Sequence, residues 1–164
     1  MSKPLRLVFS FVLLVVPLHG ANAQNIAFAP ADAALLEACM ANANTNAVHA
    51  RSACIGAARN VCISEPDGTT TLGTTTCNQR EAAWWDKLLN DNYSRLRSAL
   101  SPELFSALRD AQRAWITYRD AKCAFSYKMF EGGSIRHVLF SDCMMQTTAA
   151  RAIDLTTILL DWMG

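Results

Sequence analysis

Thirteen residues, RAWITYRDAKCAF from Arg113 to Phe125, hold the densest group of chemically capable side chains in this sequence. They combine two aromatic rings, a guanidinium beside a carboxylate, and a thiol, namely Trp115, Tyr118, Arg119, Asp120 and Cys123. Such a mixture fits a catalytic patch, a basic-aromatic surface for nucleic acid, or the polar seam of a packed helix. The cellular compartment of the protein, the net charge of its mature part and the predicted helices around this stretch decide between these interpretations.

The N-terminus is typical of an export signal. Lys3 and Arg6 precede the apolar run LVFSFVLLVVPLHG, and the small residues of ANA predict cleavage before Gln24. The run is short for a membrane helix, although a retained anchor helix is the alternative. No cysteine stands at the cleavage site, so a lipid anchor is not expected. We expect residues 1–23 to be a signal peptide, and residues 24–164 to form a single periplasmic or secreted domain without a membrane segment.

The charge balance of the mature part argues against a nucleic-acid partner. Without Lys3 and Arg6, the 15 basic residues become 13 against 14 acidic residues, a net charge of about −1. A nucleic-acid-binding domain would show a basic excess. The basic-aromatic interpretation of the opening stretch is therefore disfavoured.

Catalytic signatures are also missing from the sequence. The mature part has two histidines, His49 and His137, and neither has the spacing of a metal ligand. There is no Gly-x-Ser-x-Gly elbow and no phosphate loop. Asp120 and Glu131 could be named a carboxylate pair, but such acids are common on solvated helix faces. We expect a protein that is not an enzyme and needs no metal or cofactor.

Apolar residues follow a helical period in five segments, and no alternating strand pattern remains. The segments cover about 32–43, 47–63, 76–100, 101–130 and 135–162. The predicted start signals are Asp32 as an N-cap, Asn78 with Glu81 as a capping box, and Ser101 followed by a proline. The alternative for the third segment is an earlier start within the preceding Thr run. We predict an all-α fold in which a short N-terminal helical hairpin precedes three longer helices packed as a small bundle.

Six cysteines behind an export signal are typical of disulfides rather than of reactive thiolates. In a helical hairpin, residues equidistant from the turn lie opposite each other. This rule favours the pairs that are centred on the predicted breaks: Cys39–Cys54, Cys62–Cys77 and Cys123–Cys143. The last pair is centred on a Gly-Gly turn, and closing its loop of about 21 residues would stabilise the fold by roughly 3 kcal/mol.

Two arginines fall on helix faces that otherwise pack. Arg119 shares its face with Phe105, Leu108, Gln112, Trp115, Ile116 and Cys123, and Arg151 shares its face with Phe140, Met144, Thr148, Leu155, Ile158 and Trp162. A guanidinium cannot lose its charge and needs partners there. Asp86, Asp120 and Glu81 are the nearest candidates. We expect a structural polar seam of Arg119, Asp120, Arg151 and Asp86; the alternative is a pocket that grips a ligand carboxylate or phosphate.

The same residues resemble a known family, the LprI-type lysozyme inhibitor N-terminal domain. The resemblance covers about residues 77–162 and rests on a combined motif of Gln112, Trp115, Tyr118, Arg119, Asp120, Cys123, Gly133, Ser134, Cys143, Thr148, Arg151 and Leu155. It implies a small exported helical domain with a disulfide between the last two helices, and inhibition of lysozyme by direct binding.

We therefore expect an exported binding module that inhibits lysozyme. The alternative is a cell-envelope accessory protein that binds another protein or a small ligand without affecting lysozyme. Because the motif is expected to pack inward, the Glu65–Thr76 loop is the candidate contact surface. The alternative is that this loop only connects the second and third helical segments. A loop closed by Cys62–Cys77 would lose less entropy on docking.

These expectations predict the covalent form of the exported protein. Its intact mass should correspond to residues 24–164 less six hydrogens, and a non-reduced digest should yield the three turn-centred pairs. A free thiol at Cys123 or Cys143 would contradict the hairpin.

Overall fold

The computed structural model describes residues 27–43 and 48–163, and this part of the chain forms helices without strands. The helices are α1 Pro30–Asn42, α2 Val48–Ser52, α3 Ala57–Ile63, α4 Thr71–Ala99, α5 Pro102–Met129 and α6 Ile135–Met163. The predicted all-α class is confirmed. The predicted signal peptide and the predicted break at Asn44–Asn46 lie outside the described residues.

Helix α6 is the central element of the fold. Helix α4 and helix α5 both pack against it, and the short helices α1–α3 pack on α4 and α6. The largest fully buried side chains of the core include Trp85 and Leu96 on α4, and Met145 and Leu155 on α6. Helix α5 is more peripheral, because Gln112 and Cys123 are its only buried residues.

The predicted second segment is two helices rather than one. The chain turns between α2 and α3, where Gly56 has a φ of 92°, a left-handed conformation that suits glycine. The expectation of one continuous helix over residues 47–63 is wrong. The apolar spacing continues through the break, so periodicity could not reveal it.

A buried carboxylate of α4 explains this break. Glu81 has no exposed surface. It accepts hydrogen bonds from the backbone N–H of Gly56 at 2.6 Å and of Arg59 at 2.7 Å, which are amides at the start of α3. The indole of Trp85 donates a third bond at 2.8 Å. A helix N-terminus presents unpaired N–H groups and a positive dipole end, so a carboxylate there is favourable.

The predicted caps at Asp32 and Asn78 are wrong, whereas the alternative start of the third segment within the Thr run is confirmed. Helix α4 begins at Thr71, and its N-cap Thr70 accepts from the N–H of Gly73 at 2.9 Å, so Asn78 and Glu81 lie inside the helix. Asp32 is the third residue of α1 rather than its N-cap, and accepts from the Ala29 N–H at 2.9 Å. The Ser101 start of α5 is confirmed, since its hydroxyl accepts from the N–H of Leu104.

Asn78 binds α4 to its neighbours on both sides. Its amide donates to the Ser141 hydroxyl on α6 at 2.9 Å, and its carbonyl oxygen accepts from Arg59 on α3 at 3.1 Å. Asn78 has no exposed surface, so each of these bonds satisfies a group that water cannot reach. The residue predicted as a cap is instead a cross-link between helices.

Three disulfides join neighbouring elements. Cys39 of α1 pairs with Cys54 in the α2–α3 turn, Cys62 of α3 with Cys77 of α4, and Cys123 of α5 with Cys143 of α6. These are the pairs that the turn-centred spacing predicts. None of the helices described between residues 27 and 163 combines the length and apolarity needed to cross a membrane.

The Glu81 site predicts a large effect of a single neutral substitution. Glu81→Gln replaces one acceptor oxygen by an NH₂ group that faces a backbone donor or the indole, so we expect unfolding free energy to fall by about 2–4 kcal/mol. The matched control is Asp86→Asn on the exposed face of the same helix, which should change stability by at most about 0.5 kcal/mol. Urea unfolding of both variants measures the difference, and equal midpoints would contradict this role of Glu81.

Candidate functional site

The hairpin of α5 and α6 carries the predicted polar seam and the family motif, apart from Asp86. The two helices run antiparallel and meet at residues 130–134, where Gly132 has a φ of 80°. The Cys123–Cys143 disulfide joins them near this turn. The turn and the disulfide together fix which residues of α5 face which residues of α6.

Arg119 is held by residues of its own helix. Its guanidinium donates to the Asp120 carboxylate at 2.8 and 2.9 Å and lies 5.0 Å from the centre of the Trp115 ring. The Asp120 side chain is more than half exposed. Arg119 is thus a partly covered cation stacked on an aromatic face, with an exposed carboxylate as its counter-ion.

Arg151 connects the two helices. Its Nε donates to the Gln112 side-chain oxygen at 2.9 Å, and Nη1 lies 3.8 Å from Asp154 on its own helix. Desolvation raises the pKa of the Asp154 carboxyl above its ordinary value, and the charge of Arg151 opposes that rise. Gln112 is buried, so its bond to Arg151 satisfies a group that water does not reach. Two further hydrogen bonds join α5 to α6, from the Ser126 hydroxyl to the Arg136 carbonyl and between Tyr127 and His137.

Asp86 does not belong to this seam. It is exposed on α4 and accepts a hydrogen bond from the side chain of Asn90 at 3.0 Å. Glu81, the other candidate on α4, instead accepts hydrogen bonds from backbone amides at the start of α3. The expectation that either acid pairs with Arg119 or Arg151 is wrong, because helix order along the chain does not say which face of α4 meets α6.

The motif does not pack entirely inward. An open cleft of about 430 Å³ lies between α5 and α6 beside the α2–α3 turn, lined by Ile55, Trp115, Tyr118, Lys122, Gln146, Thr147, Ala150, Arg151 and Asp154. Tyr118 is 57% exposed, and the Lys122 ammonium lies 5.6 Å from the centre of its ring. Three motif residues, Trp115, Tyr118 and Arg151, therefore border solvent-accessible space.

Large apolar side chains continue this surface toward the turn of the hairpin. On α5 the three- and four-residue steps from Tyr118 lead to Phe125 and Met129, which are 59% and 57% exposed. On α6 the same steps from the cleft lead to Leu139 and Ile135, which are also exposed. We call this surface the hairpin face and define it as Tyr118, Lys122, Phe125, Met129, Ile135, Leu139, Gln146 and Ala150.

The hairpin face has the composition of a contact surface. Contiguous exposed apolar side chains on a soluble protein mark interaction sites. Aromatic residues and methionine are enriched in protein interfaces. The spacing of Tyr118, Lys122, Phe125 and Met129 was available in the sequence, but a periodic stripe is more often core, so exposure had to come from the structure.

The remaining motif residues lie in the core or in the turn between α5 and α6, where they support the fold. Thr148 and Leu155 are buried on α6. Ser134 follows the turn, and its backbone carbonyl accepts from the N–H of His137 at 3.1 Å. Gly133 lies in the turn, and its N–H donates to the carbonyl of Phe130 at 3.1 Å. Among the residues with described side chains, no three His, Cys, Asp or Glu side chains are grouped to hold a metal ion.

The loop predicted as the contact surface is shorter than expected. Residues 71–76 are the first turns of α4, so the non-helical part ends at Thr70. Arg80 braces this loop with an ion pair to Glu65 at 3.3 Å and a closer one to Asp32 at 2.9 Å. The hydrogen bond to Asp32 raises the pKa of the Arg80 guanidinium above its ordinary value.

The loop is also tightly packed. Asp67 has a φ of 63°, and a Cβ at Gly73 would collide with the Asp67 carbonyl. Leu72, in the first turn of α4 beside the loop, is 76% exposed. The loop is therefore a preorganised acidic projection with one exposed apolar side chain.

The two arginines should respond differently to substitution. Arg151→Met leaves the buried Gln112 oxygen without its donor, so we expect a loss of about 1–3 kcal/mol. Arg119→Ala leaves only an exposed carboxylate, so we expect a loss of about 1 kcal/mol or less. Thermal melts compare them, with exposed Arg113→Ala as the control. A larger loss at Arg119 than at Arg151 would contradict this assignment of partners.

Comparison with known proteins identifies the family. The family model for lysozyme inhibitor LprI matches residues 62–155. An uncharacterised protein of Rhizobium meliloti (strain 1021) is 36% identical over 74 residues, which are 45% of this chain and 50% of that protein, so the chain spans about half the length of this curated relative. No solved structure matches. The family match covers more than half of the chain and includes α4, α5 and most of α6, and the chain therefore belongs to the LprI lysozyme inhibitor family.

Proposed function

We propose that this protein is a periplasmic or secreted, non-catalytic inhibitor that binds a lysozyme with fixed stoichiometry, after removal of residues 1–23. Membership of the LprI family is the observation that carries the proposal. Three disulfides within the described part of the chain agree with a location outside the cytoplasm, where disulfides persist.

The hairpin face is the proposed contact surface for lysozyme. It offers Tyr118, Phe125 and Met129, each more than half exposed, on a helix pair that is fixed by a disulfide. A rigid surface loses little entropy on binding, so more of the contact energy is retained as affinity. Arg151 and Trp115 at its margin belong to the residue types that dominate binding energy in protein interfaces.

The acidic loop is the second candidate surface for the same partner. Glu65 and Asp67 are exposed beside Leu72. Lysozymes of the common animal type are basic, and an acidic projection complements them. The loop has one large exposed apolar side chain, Leu72, whereas the hairpin face has several, so the hairpin face is the preferred surface.

Paired variants test which surface is used. Tyr118→Ser with Phe125→Ser should raise the inhibitor concentration for half inhibition by roughly 30-fold or more, since the loss of a single hot-spot side chain of about 2 kcal/mol already gives that factor. The matched variant is Asp67→Asn with Leu72→Ser, in which asparagine tolerates the left-handed backbone. We expect it to retain inhibition. The assay is a turbidity measurement with oxidised mature protein titrated against animal-type and phage-type lysozymes, and both variants must first show parental melting temperatures.

Each outcome of this assay selects one interpretation. Loss of inhibition only in the loop variant would transfer the contact to the loop. No inhibition by the parent protein across these lysozymes would remove the inhibitor proposal. The alternative, an envelope accessory protein that docks another protein through the same exposed apolar face, would then stand, because that face is independent of lysozyme.

A further inference from the structure

A second concave site lies away from the hairpin face. It is a groove of about 540 Å³ between the C-terminal part of α1, helix α4 and the last turns of α6. Its lining shares no residue with the hairpin face or with the cleft between α5 and α6. Its size falls within the range of about 300–1,000 Å³ that is usual for small-ligand sites.

The floor of the groove is apolar. It is built from Trp84, Leu88, Leu159 and Met40, and Leu160 stands at its lip with 45% of its surface exposed. Methionine is an adaptable lining residue because its side chain is unbranched and flexible. Trp84 and Leu159 are buried at the base of the groove, whereas Met40 and Leu88 are half-buried and Leu160 is exposed. The apolar surface that these last three leave accessible favours a ligand with a hydrocarbon part.

The polar groups of the groove have a net positive charge. Arg95 on α4 is exposed and forms no ion pair within the described part of the chain. Arg51 on α2 is 4% exposed and donates to the Thr157 hydroxyl at 3.4 Å. Glu37 is the single acid among the lining residues.

A hydrogen-bonded pair lies beside these cations. The amide of Asn92 donates to the Thr156 hydroxyl at 2.8 Å, and that hydroxyl donates to the carbonyl of Ala152. The hydroxyl hydrogen of Thr156 is therefore used in its bond to the Ala152 carbonyl. Asn92 is held in a fixed position next to the apolar floor, where it can orient a polar head group.

We propose that this groove binds a fatty acid, with the hydrocarbon chain along Met40, Leu88 and Leu160 and the carboxylate at the exposed Arg95 on the rim. A guanidinium presents several donors that match a carboxylate. A compact anion such as acetate would leave the apolar floor unused. An alcohol of the same chain length would offer Arg95 no carboxylate.

Calorimetric titration of the oxidised mature protein tests the proposal with three probes below their aggregation limits. Dodecanoate should bind with one site and a negative heat-capacity change, which marks apolar burial. Acetate should not bind, and dodecanol should bind less tightly than dodecanoate.

Two variants locate the site. Arg95→Gln should weaken dodecanoate binding by roughly threefold to tenfold, as for loss of a partly exposed charged partner, and should leave dodecanol binding unchanged. Arg97→Gln, two residues further along the exposed part of α4, is the matched control and should behave like the parent. Leu160→Asp places a carboxylate at the lip and should abolish dodecanoate binding, while its exposure keeps the fold intact.

The proposal is overturned if dodecanoate does not bind the parent protein. It is also overturned if dodecanol binds as tightly, or if Arg97→Gln weakens binding as much as Arg95→Gln. Because the groove and the hairpin face share no residues, the Tyr118→Ser, Phe125→Ser variant should bind dodecanoate normally, whatever its effect on lysozyme.

Discussion

The fold depends on one buried carboxylate. Glu81 sits inside α4 without exposed surface, and an ion placed there would be strongly destabilising if its oxygens were unpaired. Two backbone amides at the start of α3 and the indole of Trp85 satisfy it. The same contact supplies the cap that α3 lacks in its own sequence, because its N-cap position is Gly56, which has no side chain. The carboxylate and the helix start therefore require each other, and this joins the N-terminal helices to α4.

The central position of α6 follows from its composition. Small residues such as Ala149 and Ala152 are fully buried there, which lets α4 approach closely. Helix α5 packs on another side of α6 with few buried residues of its own. Besides the Arg151–Gln112 bond and the Cys123–Cys143 disulfide, half-buried apolar side chains such as Leu108 and Trp115 attach it to the core. That arrangement leaves much of α5 exposed, and the hairpin face is a direct result.

The sequence predicted the long helices and the three disulfide pairs, but two of its three helix caps and most side-chain contacts between helices were wrong or missed. Long helices, the Ser101 start and the Gly132 turn depend on residues close together in the chain, and each agreed with the structure. The break at Gly56 was missed because its cause, Glu81, lies 25 residues away.

In the candidate site, too, a contact between neighbouring residues was predicted correctly, whereas ion pairs between helices were not. Arg119 and Asp120 are adjacent, and the structure pairs them. The expected partnership of Asp86 with the arginines required knowledge of how α4 is rotated against α6, which apolar spacing leaves undetermined. Phe125 and Met129 are exposed because α5 lies at the periphery of the fold. The spacing of apolar residues within one helix does not show whether that helix is central or peripheral.

The three disulfides are consecutive along the chain and do not interleave, since each cysteine pairs with the next one in sequence, at separations of 15, 15 and 20 residues. A polypeptide that emerges amino end first exposes each cysteine immediately before its partner. An oxidant that acted on thiols in order of appearance would produce this set directly, which is one pairing out of the 15 that six cysteines allow.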